Sequence, residues 1–147
     1  MMQSNDIIAV VVWYNPNATH AHNLMSYAHV VRHVVVVDNS INDHSPLLQE
    51  MSDNLTYIPL HDNFGIAHAL NIGCNMAVQM GARWILTMDQ DSQWQKGQLE
   101  HYIHTANNYP SIEQVGVFSP RQVYGKGCVK QTSIYEEKIA VMTSGCL

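Results

Sequence analysis

Positive charge is scarce in this chain: seven lysines and arginines stand against twelve aspartates and glutamates, a formal net charge of -5 over 147 residues. Proteins that grip a nucleic-acid backbone do so with clustered cations, so the composition argues against nucleic acid as a partner. A bound phosphate would likewise receive little basic side-chain help. Cysteine is also sparse. Cys74, Cys128 and Cys146 are odd in number, widely spaced and without a C-x-x-C pair, which argues against a disulfide framework or a cysteine zinc site and leaves buried, reduced thiols. No apolar run approaches the roughly 18 to 20 residues that cross a bilayer. The N-terminal stretch "MMQSNDIIAVVVWYNPN" lacks the basic flank and cleavage site of a signal peptide. A cytoplasmic location is therefore expected. No G-x-G-x-x-G follows the first apolar run, so the dinucleotide fingerprint is missing as well.

What is present is ample apolar material, 46% of residues against 13% charged, which suits one globular domain over residues 1–147. Ile7 to Trp13, "IIAVVVW", is the β-branched run of a strand buried on both faces, stopped by "NPN". Residues 18–31 place Leu24, Met25, Ala28 and Val31 at helical spacing and lead to a second strand, Val34 to Val37. A short helix from Pro46 to Met51, with Ser45 as N-cap, precedes "LTYIPL", whose Pro59 marks an edge strand. An amphipathic helix follows from Gly65 to Met80, closed by Gly81, then a fourth strand from Trp84 to Met88 and a helix from Lys96 to Asn108. Val115 to Phe118 reads as a fifth strand, with a weaker extended stretch from Ile139 to Thr143. Alternating strands and helices predict an α/β fold: a mostly parallel sheet with helices on both faces.

In such a sheet ligands bind beyond the carboxyl ends of the strands. All four strand ends here are polar: "WYNPN", "DNSIND", "HDNFG" and "DQDS". Turn and cap chemistry uses the same residue types. The last loop is more telling, because Asp89 and Asp91 at i and i+2 repel unless a cation lies between them. Oxygen ligands alone suit a hard divalent ion, Mg²⁺ or Mn²⁺, which one or two carboxylates hold with substrate phosphates completing the shell. That combination points to a nucleoside diphosphate or its ester.

The segments "IIAVVVWYNPN", "VVVVDNS", "NFGIAHALNIG" and "WILTMDQDS", in this order across roughly residues 6 to 92, resemble the family-two glycosyltransferases of the GT-A fold, in particular bacterial rhamnosyltransferase-like members, with "MTSGCL" similar to the family's next segment. The resemblance implies a Rossmann-like α/β/α sandwich, incomplete at its C-terminus. It implies that Tyr14 and Asp38 lie against the nucleotide base, Asp38 accepting a hydrogen bond from a pyrimidine N–H. Asn63 and Gly65 would line the nucleotide pocket. Asp89 would sit near the ribose and Asp91 on the metal of a D-x-D motif. The implied reaction is transfer of a sugar, dTDP-rhamnose or a related UDP- or dTDP-sugar, to a polysaccharide or lipid-linked acceptor at the inner membrane face. The family's general base belongs to an acceptor-binding half downstream, expected beyond Leu147, so the catalytic residue is unknown and the piece alone is expected to be inactive. Glu136 and Glu137 read as solvated loop charges. A truncated edge would favour self-association.

Other features carry weaker readings. His29 with His33 and His101 with His104 have helical spacings that can hold zinc, without acidic or cysteine partners beside them. His61 and His68 flank the proposed pocket, and Arg121 and Lys126 stand within reach of a phosphate if they are not plain loop charges. "NAT" at Asn17 and "NLT" at Asn54 match a glycosylation pattern that means little without a signal peptide. Against the enzyme reading stands a non-catalytic nucleoside-diphosphate-binding module. An aspartyl-nucleophile phosphatase ranks behind both, because its D-x-D ends the first strand and here the motif ends the fourth.

Overall fold

The computed structural model describes residues 2–49, 51 and 53–120. Four strands, Ile7–Trp13 (β1), His33–Asp38 (β2), Leu55–Pro59 (β3) and Trp84–Asp89 (β4), form one sheet in the order β3-β2-β1-β4, and every pairing is parallel. The two β-branched runs occupy the centre, where both faces are covered and a continuous apolar strand is the stable choice. Among the described residues β3, with Pro59, pairs with β2 alone, as suits the proline of an edge strand.

Three helices cover the sheet: Ala18–Ala28 (α1), Ile66–Gln79 (α2) and Gln98–Asn107 (α3). Side chains alternate along each strand, so β1 sends Ile7, Ala9, Val11 and Trp13 to one layer, where they meet Leu24 and Tyr27 of α1 and Leu99 and Ile103 of α3. Ile8 and Val10 go to the other layer with Val35, Val37 and the small residues Ala69 and Ala77 of α2. Gly73 sets the depth of that second layer. A Cβ built there would collide with Val10 Cγ1 and lie 3.1 Å from Val37 Cγ2, so only glycine lets α2 settle this close to the sheet. The result is an α/β/α sandwich with an all-parallel described sheet.

Several boundaries differ from the pattern reading. α1 ends at Ala28, and Val30 and Val31, though buried, lie in the turn that leads into β2. The segment after His44 is a short 3-10 turn, Ser45–Leu48. Ser45 lies within it and does not cap it, because its N–H and hydroxyl both donate to Asp43 at 2.9 Å. Gly81 follows α2 at φ 76, the left-handed residue expected at a helix end. Val115 to Phe118 forms no strand; Phe118 instead packs against Trp84 and Tyr109, ring centroids 6.0 and 5.9 Å away, so its apolar residue closes the β4 side of the core. Residues 121–147, with Cys128, Cys146, Arg121, Lys126, Glu136, Glu137, the Ile139 to Thr143 stretch and "MTSGCL", lie outside the described residues. Cys74, half-buried on α2, is a free thiol raised by burial. Among the described residues no helix is long and apolar enough to cross a membrane.

Candidate functional site

The loops leaving β1, β2, β3 and β4 surround one cleft of about 690 Å³, within the range of small-molecule sites. Val12, Leu70 and Met88 give it an apolar floor, and Tyr14, Asn39, Asn63, Asp89 and Gln90 its polar walls. Four of the residues singled out from the sequence, Tyr14, Asn63, Gly65 and Asp89, meet at this cleft. Two others, Asp38 and Asp91, are not on its wall.

Asp38 departs from the role the resemblance implies. It ends β2 fully buried. Its Oδ1 accepts the Ser40 N–H at 3.2 Å and the Ser40 hydroxyl, and its Oδ2 accepts the Tyr57 hydroxyl at 2.6 Å and lies 2.7 Å from His44 Nδ1. The chain's own donors thus occupy both oxygens, leaving no direction from which a pyrimidine N–H reaches them in this conformation. Burial, together with this hydrogen bond, holds the Tyr57 hydroxyl well above its ordinary range, so it stays a phenol that donates to Asp38 while its oxygen accepts the His44 N–H at 2.9 Å. The Ser40 hydroxyl also accepts the Asn15 N–H at 2.8 Å, which fixes Asn15 in the left-handed region at φ 46. Asp38 therefore organises the loops behind the cleft.

The next residue, Asn39, takes the forward position that Asp38 does not. Its Nδ2 donates to Asn63 Oδ1 at 2.9 Å, its Oδ1 accepts the Phe64 N–H at 2.9 Å, and Asn63 Oδ1 also accepts the Gly65 N–H at 3.0 Å. These bonds fold "NFG" into the turn that starts α2. Gly65 sits at φ 84, ψ 154, a region in which a Cβ is strained. No side chain caps the N-terminus of α2, so its first amides, with the positive end of the helix dipole, open toward the cleft beside Gly65 and Ile66.

Asp89 is exposed at the end of β4, and Asp91 is exposed on the turn that the Ser92 N–H closes on the Asp89 carbonyl at 3.1 Å. Asp38 has every lone pair taken, whereas no hydrogen bond or ion pair among the described residues engages the side chain of Asp89 or Asp91. Two free carboxylates with open space beside them fit a hard divalent ion whose shell is completed by water and phosphate. A closed cage is not on offer, since no three ligating side chains converge among the described residues. The histidine pairs disperse: His29 Nδ1 lies 3.2 Å from the Met25 carbonyl at the end of α1, His33 Nε2 bonds the Thr56 hydroxyl at 2.8 Å across β2 and β3, and His104 Nε2 bonds Asn108. Asn17 caps α1 by accepting the Thr19 N–H at 2.9 Å, and Asn54 donates to the Ala28 carbonyl, so both sequon asparagines have structural partners. Sequence reasoning missed Asn39 and Gln90. Both stand inside the motifs "DNS" and "DQD", and their polar type at a strand end was the available signal.

An open, all-parallel described sheet between helix layers, with a cleft at its carboxyl edge walled by Tyr14, Asn39, Asn63, Asp89 and Gln90, defines an α/β domain of the GT-A type. Residues 14–135 match the model for glycosyl transferase family 2, and the chain belongs to that family. It is 39% identical over 95 residues to the dTDP-rhamnosyl transferase RfbF of Shigella flexneri, covering 63% of this chain and 31% of that protein. A crystal structure of S. aureus TarS, residues 1–349, superposes with a TM-score of 0.56 over 72% of this chain and 32% of its own, at 21% identity, a likeness of fold. The chain spans about a third of the length of both.

Proposed function

We propose that this chain is the donor-binding part of a glycosyltransferase that takes a UDP- or dTDP-sugar, with dTDP-rhamnose favoured by the identity to RfbF. The observation that carries the reading is the convergence of Tyr14, Asn63, Gly65 and Asp89 on one cleft. Tyr14, half-exposed at the end of β1, offers a ring face to a base. The turn at Asn63 and Gly65 admits the close approach of a nucleotide backbone, and the uncapped α2 N-terminus favours its negative charge. Asp89 and Asp91 would hold Mg²⁺ or Mn²⁺, which when bound neutralises the charge that develops on a departing diphosphate.

In the longer form the sugar would pass to a saccharide or lipid-linked acceptor in contact with the inner membrane face, and the base that removes the acceptor proton is assigned to no residue here. Nucleoside-diphosphate binding without turnover is the second reading. Calorimetric titration of dTDP and UDP with Mn²⁺, with EDTA and on Asp91→Ala tests the site. Binding that needs the metal and disappears in Asp91→Ala is expected. Equal heats in all three conditions would refute the metal-held donor.

A further inference from the structure

The middle residue of "DQD" has a role of its own. Asp89 closes β4 in register with Val12 of β1, and beyond that pair the strand ladder stops. Gln90 continues it with its side chain. Its Oε1 accepts the Tyr14 N–H at 2.8 Å and its Nε2 donates to the Tyr14 carbonyl at 3.2 Å, so the carboxamide pairs with both main-chain groups of Tyr14. From the other side, Nδ2 of Asn23, a buried polar residue of α1, donates to the Gln90 carbonyl at 3.1 Å. Gln90 is thus held at side chain and main chain, by two different elements, while its neighbours Asp89 and Asp91 are exposed and unengaged.

We infer that Gln90 is a positioning residue that couples the Tyr14 segment, on the nucleotide side of the cleft, to the paired carboxylates on the metal side. This rests on the donor-site reading above. The geometry suits a primary amide of this length: donation and acceptance by one planar group match the N–H and C=O of a single residue, which a carboxylate, with no donor, or a thioether, with none and only a weak acceptor, cannot do. A chain in which the clamp is intact presents both halves of the ligand site in one arrangement. Without it each half can still form, but ordering one no longer orders the other, and the mutual help between metal and nucleotide declines.

The test compares the chain with Gln90→Met, which keeps the side-chain length and loses both hydrogen bonds, and with Gln90→Glu, which keeps only the bond from the Tyr14 N–H. Amide exchange at Tyr14, read by NMR without ligand, should quicken about five- to tenfold in Gln90→Met, as befits loss of one net hydrogen bond, and stay near the parent rate in Gln90→Glu. The second readout is the ratio of dTDP affinities with and without Mn²⁺, taken where melting temperatures agree. That ratio should fall about fivefold or more in Gln90→Met, the direct contact of metal with phosphate leaving the remainder. An unchanged Tyr14 exchange rate in Gln90→Met overturns the clamp, and faster exchange with an unchanged ratio overturns its positioning role. No metal-dependence in the parent chain refutes the donor-site reading and the inference with it, an outcome distinct from a parent that couples and a variant that couples equally.

Discussion

Asp38 and Asp89 both close apolar strands, yet the first is sealed under Ser40, His44 and Tyr57 and the second stands open at the cleft. The difference follows from neighbours. β2 lies between two strands, and the loop after it folds back over its end, whereas β4 meets a strand only on the β1 side among the described residues. Their substitutions should separate accordingly. Tyr57→Phe removes a hydrogen bond to a buried carboxylate and should cost about 1 to 2 kcal/mol in urea unfolding. Asp89→Asn removes no intramolecular partner and should leave stability within about 0.5 kcal/mol, while lowering metal-dependent nucleotide binding in titration. Equal destabilisation by both would contradict the separation of a structural from a ligand-facing carboxylate.

At the scale of elements, α2 is positioned by its glycines. Gly73→Ala gains helix propensity of up to about 1 kcal/mol, but the added methyl meets Val10 Cγ1 inside a packed layer, and overpacking of that kind costs about 1 to 3 kcal/mol. A net loss in melting temperature is expected. Gly65→Ala meets no atom within 4 Å, so its penalty is purely conformational, from φ 84. It should lower nucleotide affinity by displacing the start of α2 even where the protein stays folded, as circular dichroism together with titration would reveal. The glycine-containing motif was legible in the sequence. Its two different reasons, crowding at Gly73 and backbone angle at Gly65, were not, because the first depends on a strand more than sixty residues earlier.

For the molecule as a whole, two shifted groups act in the same direction on acidification. His33, bonded to Thr56 across the strands, is held below its ordinary value by burial and, secondarily, by Arg32. A histidine with a depressed folded pKa contributes stability above its unfolded pKa of ~6.5, and that contribution is lost as pH falls from there through the folded value. Asp43 is held below its ordinary value by the Ser45 backbone N–H and then by the Ser45 hydroxyl, so its contribution is present above about 3.8 and lost as pH falls below that. Unfolding free energy should therefore decline as pH is lowered from 7 to 5, with a further decline below about 3.8. His33→Gln should flatten the first part alone, measured by urea denaturation at each pH; a slope unchanged by that substitution would remove His33 from the account.

The sequence by itself determined the alternation of strands and helices, the central place of the two β-branched runs and the edge position of β3, because side-chain period, β-branching and proline act locally. The family resemblance, rather than local pattern, singled out Tyr14, Asn63, Gly65 and Asp89, and the structure places all four around one cleft at the strand ends. Only the tertiary structure decided which polar side chains face the cleft and which turn away. Asp38 is satisfied by a tyrosine from the neighbouring strand and a histidine from the loop between them, and Gln90 by the main chain of β1's loop, 76 residues distant in sequence. It also replaced the expected fifth strand with an aromatic contact, since whether Val115 to Phe118 pairs or packs depends on what stands beside Trp84. Hydrogen bonds and contacts between residues far apart along the chain set those outcomes, and local pattern carries no record of them.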